Sequence, residues 1–372
     1  MLLDEVIEPN PGVGMGLLWR SRLRRMKYSR NKINTSGKAL LAGPETGFPY
    51  TDANLVVEDW RRLHMIPLEE LVGEVTRLLA QSGVTAAFSS HRLKRMTSII
   101  AKLRHNPGMG LGGLQDIGGA RFVFEDIPSL LKAQQIIANA KLEHFIADGE
   151  PYDYVARPKE SGYRSIHFAY KYISENPDYD GLRVELQIRT RLQHDWAMAV
   201  ETGELISKSP LKASMGDEHW LAFFKLASAV FAQKEGMPVA DSFTRYTQQD
   251  YCISYAKLDQ NYKFLDQLQA LVSAVKITEK RELKIGYAVV LIQFEEKMVQ
   301  LRHYKADALE EATKYYSEVE KTIKDESAAV VLVSVSDMNE LQDAYPSYFL
   351  NAGEFIQSLQ DFSSTCKMKG YI

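Results

Sequence analysis

The sequence predicts an α+β fold: a mixed β-sheet flanked by helices, followed by a smaller α+β unit. Three observations lead there. Strand-like and helix-like segments alternate between residues 67 and 201. After about residue 208 comes a long stretch of helical periodicity with few candidate catalytic groups. A second set of apolar strands and amphipathic helices then runs from about 285 to 361. The expected organisation is an irregular basic extension at 1–66, a first α+β domain at 67–208, a helical connector at 209–280 and a C-terminal domain at 281–372.

Residues 67–81 are expected to form a helix. Pro67 suits a first turn, and Leu68, Leu71, Val75, Leu78 and Leu79 recur at helical spacing. A second helix is expected from about 91 to 103. Gly108, Gly110, Gly112 and Gly113 mark a loop. A strand at 120–124 and a helix near 129–140 follow. Strands are expected around 152–156, 166–173 and 182–189, with a loop at 158–162 and a helix from about 190 to 201. Beyond them, 217–235 and 245–280 read as helical. The last unit has expected strands near 285–294, 299–304 and 328–335, and helices near 306–323 and 351–361. No Gly/Ser linker, internal repeat or low-complexity tract is present, so the two halves are expected to pack together.

With 372 residues, 45% apolar and 25% charged, the chain has the profile of a soluble globular protein of two or three domains. No apolar run reaches the length of a membrane span. The first residues include Asp4 and Glu5 and lack a signal pattern. Two cysteines, Cys252 and Cys366, are too few for a disulfide scaffold or a four-cysteine zinc site, and they fit a reducing cytoplasm. The expected location is cytoplasmic, with neither membrane nor DNA as a partner. The net charge of −3 does not suggest a nucleic-acid binder, but its distribution does. Within 20–32, seven of thirteen positions are basic, including Arg20, Arg22, Arg24, Arg25 and Lys27, and none is acidic.

Four segments carry candidate chemistry. In 184–190, alternation sends Val184, Leu186 and Ile188 to the core and Glu185, Gln187 and Arg189 to the opposite face. A carboxylate, an amide and a guanidinium in a row suit a polyanion with a metal; they also suit a solvated edge. In the expected helix, Lys94, Ser98 and Lys102 share one face with Arg92 nearby, a set able to clamp a triphosphate or simply to face water. Asp116, ahead of Arg121 at the mouth of a strand, is placed to hold Mg²⁺ or to make a turn. The loop from Asp153 to His167 is rich in cations, among them Lys159 and Arg164, and carries Gly162 and Tyr163. Tyr163 could stack on a base, or could be a half-buried tyrosine at a strand edge.

Together and in this order, these motifs resemble the synthetase domain of RelA/SpoT homologues over roughly residues 67–205. The family's Arg-x-Lys, Ser-Ile and Lys pattern stands as Arg92, Lys94, Ser98, Ile99 and Lys102. Its Asp and Arg five apart stand as Asp116 and Arg121. Its loop motif stands as Asp153, Tyr154, Pro158, Lys159, Gly162, Tyr163, Ser165 and His167, and its Glu-x-Gln-Ile-Arg-Thr as Glu185 to Thr190 with His194 beyond. The resemblance implies a nucleotidyltransferase-like synthetase fold and transfer of pyrophosphate from ATP to a ribose 3′-hydroxyl. It implies that Arg92, Lys94, Ser98, Lys102 and Arg121 hold ATP, and that Asp116 and Glu185 hold Mg²⁺ and serve the chemistry. Tyr163, Lys159, Arg164, His167, Gln187 and Arg189 would meet the acceptor. The hydrolase half of long members, built on His and His-Asp pairs, has no counterpart before residue 85, where only His64 occurs.

The basic run 20–32 favours a tRNA 3′ CCA end as acceptor, because clustered cations can follow a line of phosphates; the alternative is a nucleotide acceptor giving a (p)ppGpp- or (p)ppApp-type alarmone. The C-terminal half resembles the fused toxin–antitoxin synthetases called CapRel, whose zinc-finger-like, metal-free domain closes the ATP site. Tyr345 and Tyr348 match that family's Tyr-x-x-Tyr element. This resemblance implies a self-inhibited toxin of phage defence, released when a phage protein binds the C-terminal domain.

Overall fold

The computed structural model describes residues 29–207, 211–274, 276–277, 286–293, 298–305, 307–323, 328–335 and 352–372. Arg20, Arg22, Arg24, Arg25, Lys27, Tyr345 and Tyr348 lie outside the described residues.

The first described helices lie inside the stretch expected to be irregular. Helix α1, Arg30–Leu41, starts where the Ser29 side chain accepts from the Lys32 amide. Helix α2, Phe48–Leu63, follows with a proline in its first turn. Gly43, Pro44 and Gly47 mark only the short connection between them. The stripe Ala53, Val56, Val57 and Trp60 is buried, so the segment is folded by its apolar face despite the scattered glycines and prolines. Helix α3, Met65–Gln81, buries Leu68, Leu71, Val75 and Leu79 as the spacing predicts.

The single helix expected at 91–103 is instead a strand and a shorter helix: β1, Phe88–Leu93, and α4, Met96–His105. The ladder between β1 and β2, Gly118–Phe124, outcompetes helix here, and Arg95 turns the chain with extended backbone angles. Next come α5, Ile127–Asn139, then β3, Phe145–Ala147, and β4, Tyr152–Asp153. After β5, Ile166–Tyr172, and β6, Arg183–Thr190, come the helices α6, Arg191–Ser207, α7, Glu218–Lys234, α8, Gln248–Tyr262, and α9, Phe264–Ala274. A left-handed residue, Lys263, splits the helix expected at 245–280 into α8 and α9. The C-terminal elements are β7, Lys276–Ile277, β8, Gly286–Gln293, β9, Met298–Lys305, α10, Leu309–Thr322, β10, Ala328–Val335, and α11, Gly353–Met368.

Among the described residues all ten strands belong to one mixed sheet in the order β3-β5-β6-β2-β1-β10-β8-β9-β7, with β4 beside β5. Strand β2 runs parallel to β6 and antiparallel to β1, and β10 joins β1 through the pair Arg92 and Val333. One face of the sheet buries Phe122, Phe124, Val184, Leu186 and Ile188 against α3 and α5. A second core of Trp196, Phe223, Phe224, Phe264 and Phe355 forms among α6, α7, α9 and α11. The two cysteines, read as too few for a disulfide scaffold and as fitting a reducing cytoplasm, form a disulfide between α8 and α11, with Cα atoms 5.6 Å apart. Their 114-residue separation hides this in the sequence; the packing of α11 against α8 brings them together. No helix among the described residues is long and apolar enough to cross a membrane.

Burial also sets an acid sensitivity. His64 is fully buried beneath the sheet end, with Nδ1 2.9 Å from the Trp60 carbonyl, and burial pushes its imidazole down to about 4. The unfolded chain takes up this proton near pH 6.5, whereas the folded chain resists it until about pH 4. His64 therefore removes stability as pH falls from 6.5 towards 4, by up to about 1.4 kcal/mol per pH unit, and has no effect above that window. Urea unfolding at pH 7 and pH 5 should show the loss in the wild type and a smaller loss in His64→Leu.

Candidate active site

The polar face of the sheet gathers most of the predicted residues. Gly119 of β2 lies between Arg92 of β1 and Glu185 of β6, and Arg121 lies opposite Gln187. His167 of β5 is the cross-strand partner of Gln187. A Cβ at Gly119 would meet nothing within 4 Å, so the sheet is open at its centre, between a guanidinium and a carboxylate.

Glu185 sits in a chain of hydrogen bonds. Tyr163 and His167 are joined through the hydroxyl and Nε2 at 2.7 Å, and His167 Nδ1 lies 2.9 Å from Glu185 Oε1. A tyrosine donating to Nε2 leaves Nδ1–H to donate to the carboxylate, the tautomer that satisfies all three groups. Gln187 Nε2 donates to Glu185 Oε2 at 2.6 Å. Burial pushes the Glu185 carboxyl up, and Asp116 adds to that; the bonds from His167 and Gln187 outweigh both and hold it below its ordinary value.

Asp116 stands just before β2, beside the same opening. Lys94 Nζ and Lys102 Nζ both reach Asp116 Oδ2, at 2.9 and 2.8 Å. The predicted shared helix face is corrected: Lys94 precedes α4, its amide donating to the Ile117 carbonyl, and only Ser98 and Lys102 are on the helix. The two lysines still meet, because the turn at Arg95 folds Lys94 back over Asp116. Burial opposes ionisation of Asp116, and the two ammonium groups overcome it, so its carboxyl titrates below the usual range. Asp116 Oδ1 is buried without a hydrogen-bond partner among the described residues.

The loop 153–163 supplies an aromatic wall. Lys159 Nζ lies 4.2 Å from the centre of the Tyr154 ring and 5.5 Å from that of Tyr163. Burial lowers the Lys159 pKa, Glu185 raises it and Lys102 lowers it again, so the ammonium lies within reach of both charges. Gly162 has φ +89, and a Cβ there would come within 2.8 Å of Ser228 Cβ. Its carbonyl accepts from the Ser228 hydroxyl at 2.5 Å, which pins the loop to α7 and Tyr163 against Trp196. Tyr152, 54% exposed, stacks on Tyr154 within 9° of parallel, 6.1 Å away.

Two predicted residues do not join the open site. Arg164 is 2% exposed and bonds Glu235 at 2.5 Å, in a network with Thr190 and Gln193. It lies in the irregular segment ahead of β5 and its pairing with Glu235 holds it in the interior, whereas Tyr163 bonds His167 beside the opening. Arg189 is likewise buried, with Nη2 2.6 Å from His194 Nδ1, and burial together with Arg121 pulls its pKa well below the ordinary value. Lys171 and Arg183, on the site face one register step from Glu185, were not foreseen; both bond Asp148. Extending the period of Glu185 and Gln187 backwards by two residues would have found Arg183.

The family profile described as "Region found in RelA / SpoT proteins" matches residues 91–204, which include the end of β1, all of β2, β5 and β6, and every residue of this opening. An uncharacterized protein of Mycobacterium tuberculosis is 35% identical over 175 residues, 46% of this chain and 58% of that protein. The GTP pyrophosphokinase YjbM of Bacillus subtilis is 31% identical over 113 residues, 30% of this chain and 52% of that protein. The chain thus spans a little over half the length of these two relatives. Among solved structures, the small alarmone synthetase 1 of Bacillus subtilis bound to pppGpp is 24% identical, covering 46% of this chain and 88% of that one, with a TM-score of 0.37. A GTP pyrophosphokinase family protein of Streptococcus pneumoniae is 20% identical, covering 48% and 90%, with a TM-score of 0.40.

In the segment this profile matches, two carboxylates, Asp116 just before β2 and Glu185 on β6, face an opening bordered by cations. Magnesium is held by one or two carboxylates together with the phosphates of its nucleotide. Asp116, through its partnerless Oδ1, and Glu185 fit that requirement. Among the described residues no group of three His, Cys, Asp or Glu is placed to hold a metal by itself.

Proposed function

We propose that the protein transfers pyrophosphate from ATP to a ribose 3′-hydroxyl. The observation that carries this is the approach of Asp116, just before β2, to Glu185 on β6, close enough to affect its ionisation, with Lys94, Lys102, Lys159 and Arg121 around one opening. The acceptor oxygen bonds to the β-phosphorus, the bond from that phosphorus to the α–β bridging oxygen breaks, and AMP leaves. The hydroxyl proton passes to Glu185. Mg²⁺ at Asp116 and Glu185 would neutralise charge on the transferred group. Lys94, Lys102, Arg92 and Arg121 bind the ATP phosphates, and positioning supplies most of the rate.

The acceptor in this proposal is the 3′ end of tRNA. The basic run 20–32 supports a polynucleotide, and so does the exposed Tyr152 stacked on Tyr154, which continues the aromatic wall outward. The relatives named GTP pyrophosphokinase favour a guanine nucleotide as the second reading. The proposal also makes the C-terminal unit, zinc-finger-like and metal-free, a restraint in which Tyr345 and Tyr348 close the ATP site until a phage protein binds. Its support is the Tyr-x-x-Tyr spacing.

The test uses the full chain and its Tyr345→Ala/Tyr348→Ala variant, with γ-labelled ATP, tRNA, GDP and GTP. Label on tRNA that disappears with Glu185→Gln is the expected result. Label on GDP or GTP alone selects the second reading, and no label on any acceptor from either protein sinks the reaction itself. In the same assay Tyr163→Ala should raise the acceptor KM with the ATP KM unchanged, because a lost stacking partner costs about 1–3 kcal/mol.

A further inference from the structure

Outside the region that the RelA/SpoT profile matches, the C-terminal helix α10 reaches the segment that carries Lys94. Glu320 Oε1 accepts from the backbone amide of Met96, the first residue of α4, at 3.1 Å. No side chain of the local sequence caps this helix, so Glu320 supplies the missing acceptor from 224 residues away. Arg61 of α2 donates Nη2 to Glu320 Oε2 at 2.9 Å, and its Nη1 lies 3.3 Å from both Glu320 Oε1 and the Lys94 carbonyl. Tyr316 completes the group, donating to Glu320 Oε1 at 2.6 Å beneath the Arg61 guanidinium. Arg61 and Glu320 are 4% and 13% exposed, so water competes little for these bonds. Two residues earlier, Arg92 is bridged to Val333 of β10.

Besides its ladder to β2 and the bond from the Lys94 amide to the Ile117 carbonyl, the chain from Arg92 to Met96 is therefore held at three further points, two of them by the C-terminal unit directly and one through Arg61. We infer that Glu320 is a positioning residue for ATP: it fixes the turn at Arg95, and with it the meeting of Lys94 and Lys102 at Asp116. The inference rests on the reaction proposed above. It makes the C-terminal unit a part of the ATP site, in addition to any restraint it exerts. Without Glu320 the Met96 amide loses its acceptor, Arg61 becomes a buried cation without its carboxylate, and the Lys94 carbonyl loses its fixed donor.

The experiment compares Glu320→Ala and Glu320→Gln with wild type in the full chain, by steady-state kinetics and by hydrogen exchange of the Met96 amide. Glu320→Ala should raise the ATP KM about tenfold, leave the acceptor KM unchanged and speed exchange at Met96 about tenfold. Glu320→Gln keeps an acceptor oxygen for Met96 and should recover part of both effects. An ATP KM within twofold of wild type in a folded Glu320→Ala protein would overturn the inference. Equal rises in both KM values would overturn it too, because they mark general loosening. Should wild type transfer to no acceptor, the proposed reaction fails, and unchanged exchange at Met96 would then remove the brace as well.

Discussion

Glu185→Gln is expected to lower the transfer rate by about 10³-fold with the fold intact. Gln keeps the size of the side chain and still presents an oxygen to His167 Nδ1, 2.9 Å away in the wild type. It cannot take the hydroxyl proton, and it withdraws one of the two carboxylates on the opening. Loss of a positioned base costs about 10²–10⁴-fold, and the weakened metal site adds to it. The wild-type carboxyl is held below its ordinary value by His167 and Gln187. The base is thus ionised throughout the neutral range, and activity should fall only as pH drops into the acidic carboxylate range. Single-turnover kinetics with saturating ATP measure the chemical step directly. A variant that transfers at the wild-type rate would move the reaction away from this carboxylate.

The second large effect is on stability. Glu235→Ala should destabilise the fold by about 3–5 kcal/mol, because it strands a buried charge. Glu235 takes the Arg164 guanidinium at 2.5 Å, the Thr190 hydroxyl and the Gln193 amide at 3.2 Å, with its side chain 7% exposed. The Arg164→Met/Glu235→Leu pair should recover much of the loss, since neither charge is then buried alone. Denaturant unfolding of the three variants measures this. A loss under about 1 kcal/mol in Glu235→Ala would show that Arg164 finds water, and would return it to the candidates for substrate contact.

Much of this was legible in the sequence where the evidence is periodic. The alternation at 184–190 placed Glu185 and Gln187 on the polar face, and helical spacing located α3 to within two residues. Alternation also explains the failures. It assigns Arg189 to the polar face without saying that α6 covers the far end of that face, where His194 meets the guanidinium. Helical spacing read through 91–103 because β1 is only six residues long and its partner β2 lies 25 residues on. Ties such as Glu320 to Met96 and Cys252 to Cys366 join positions more than a hundred residues apart, and no local pattern announces them.

The pairing of β1 with β10 has a consequence for the order in which the molecule is made. Arg92 and Val333 are neighbours in the sheet but are separated by most of the polypeptide. A ribosome adding about 5–20 residues per second takes on the order of ten seconds or more to travel from one to the other. Throughout that interval β1 has a bare edge, and the turn at Arg95 has no carboxylate at its amide. Such distant closure is a slow step in any folding reaction. The nascent chain should therefore acquire a competent ATP site only after its last strand has emerged. An enzyme proposed to act against translation would then be withheld from the ribosome that is still producing it.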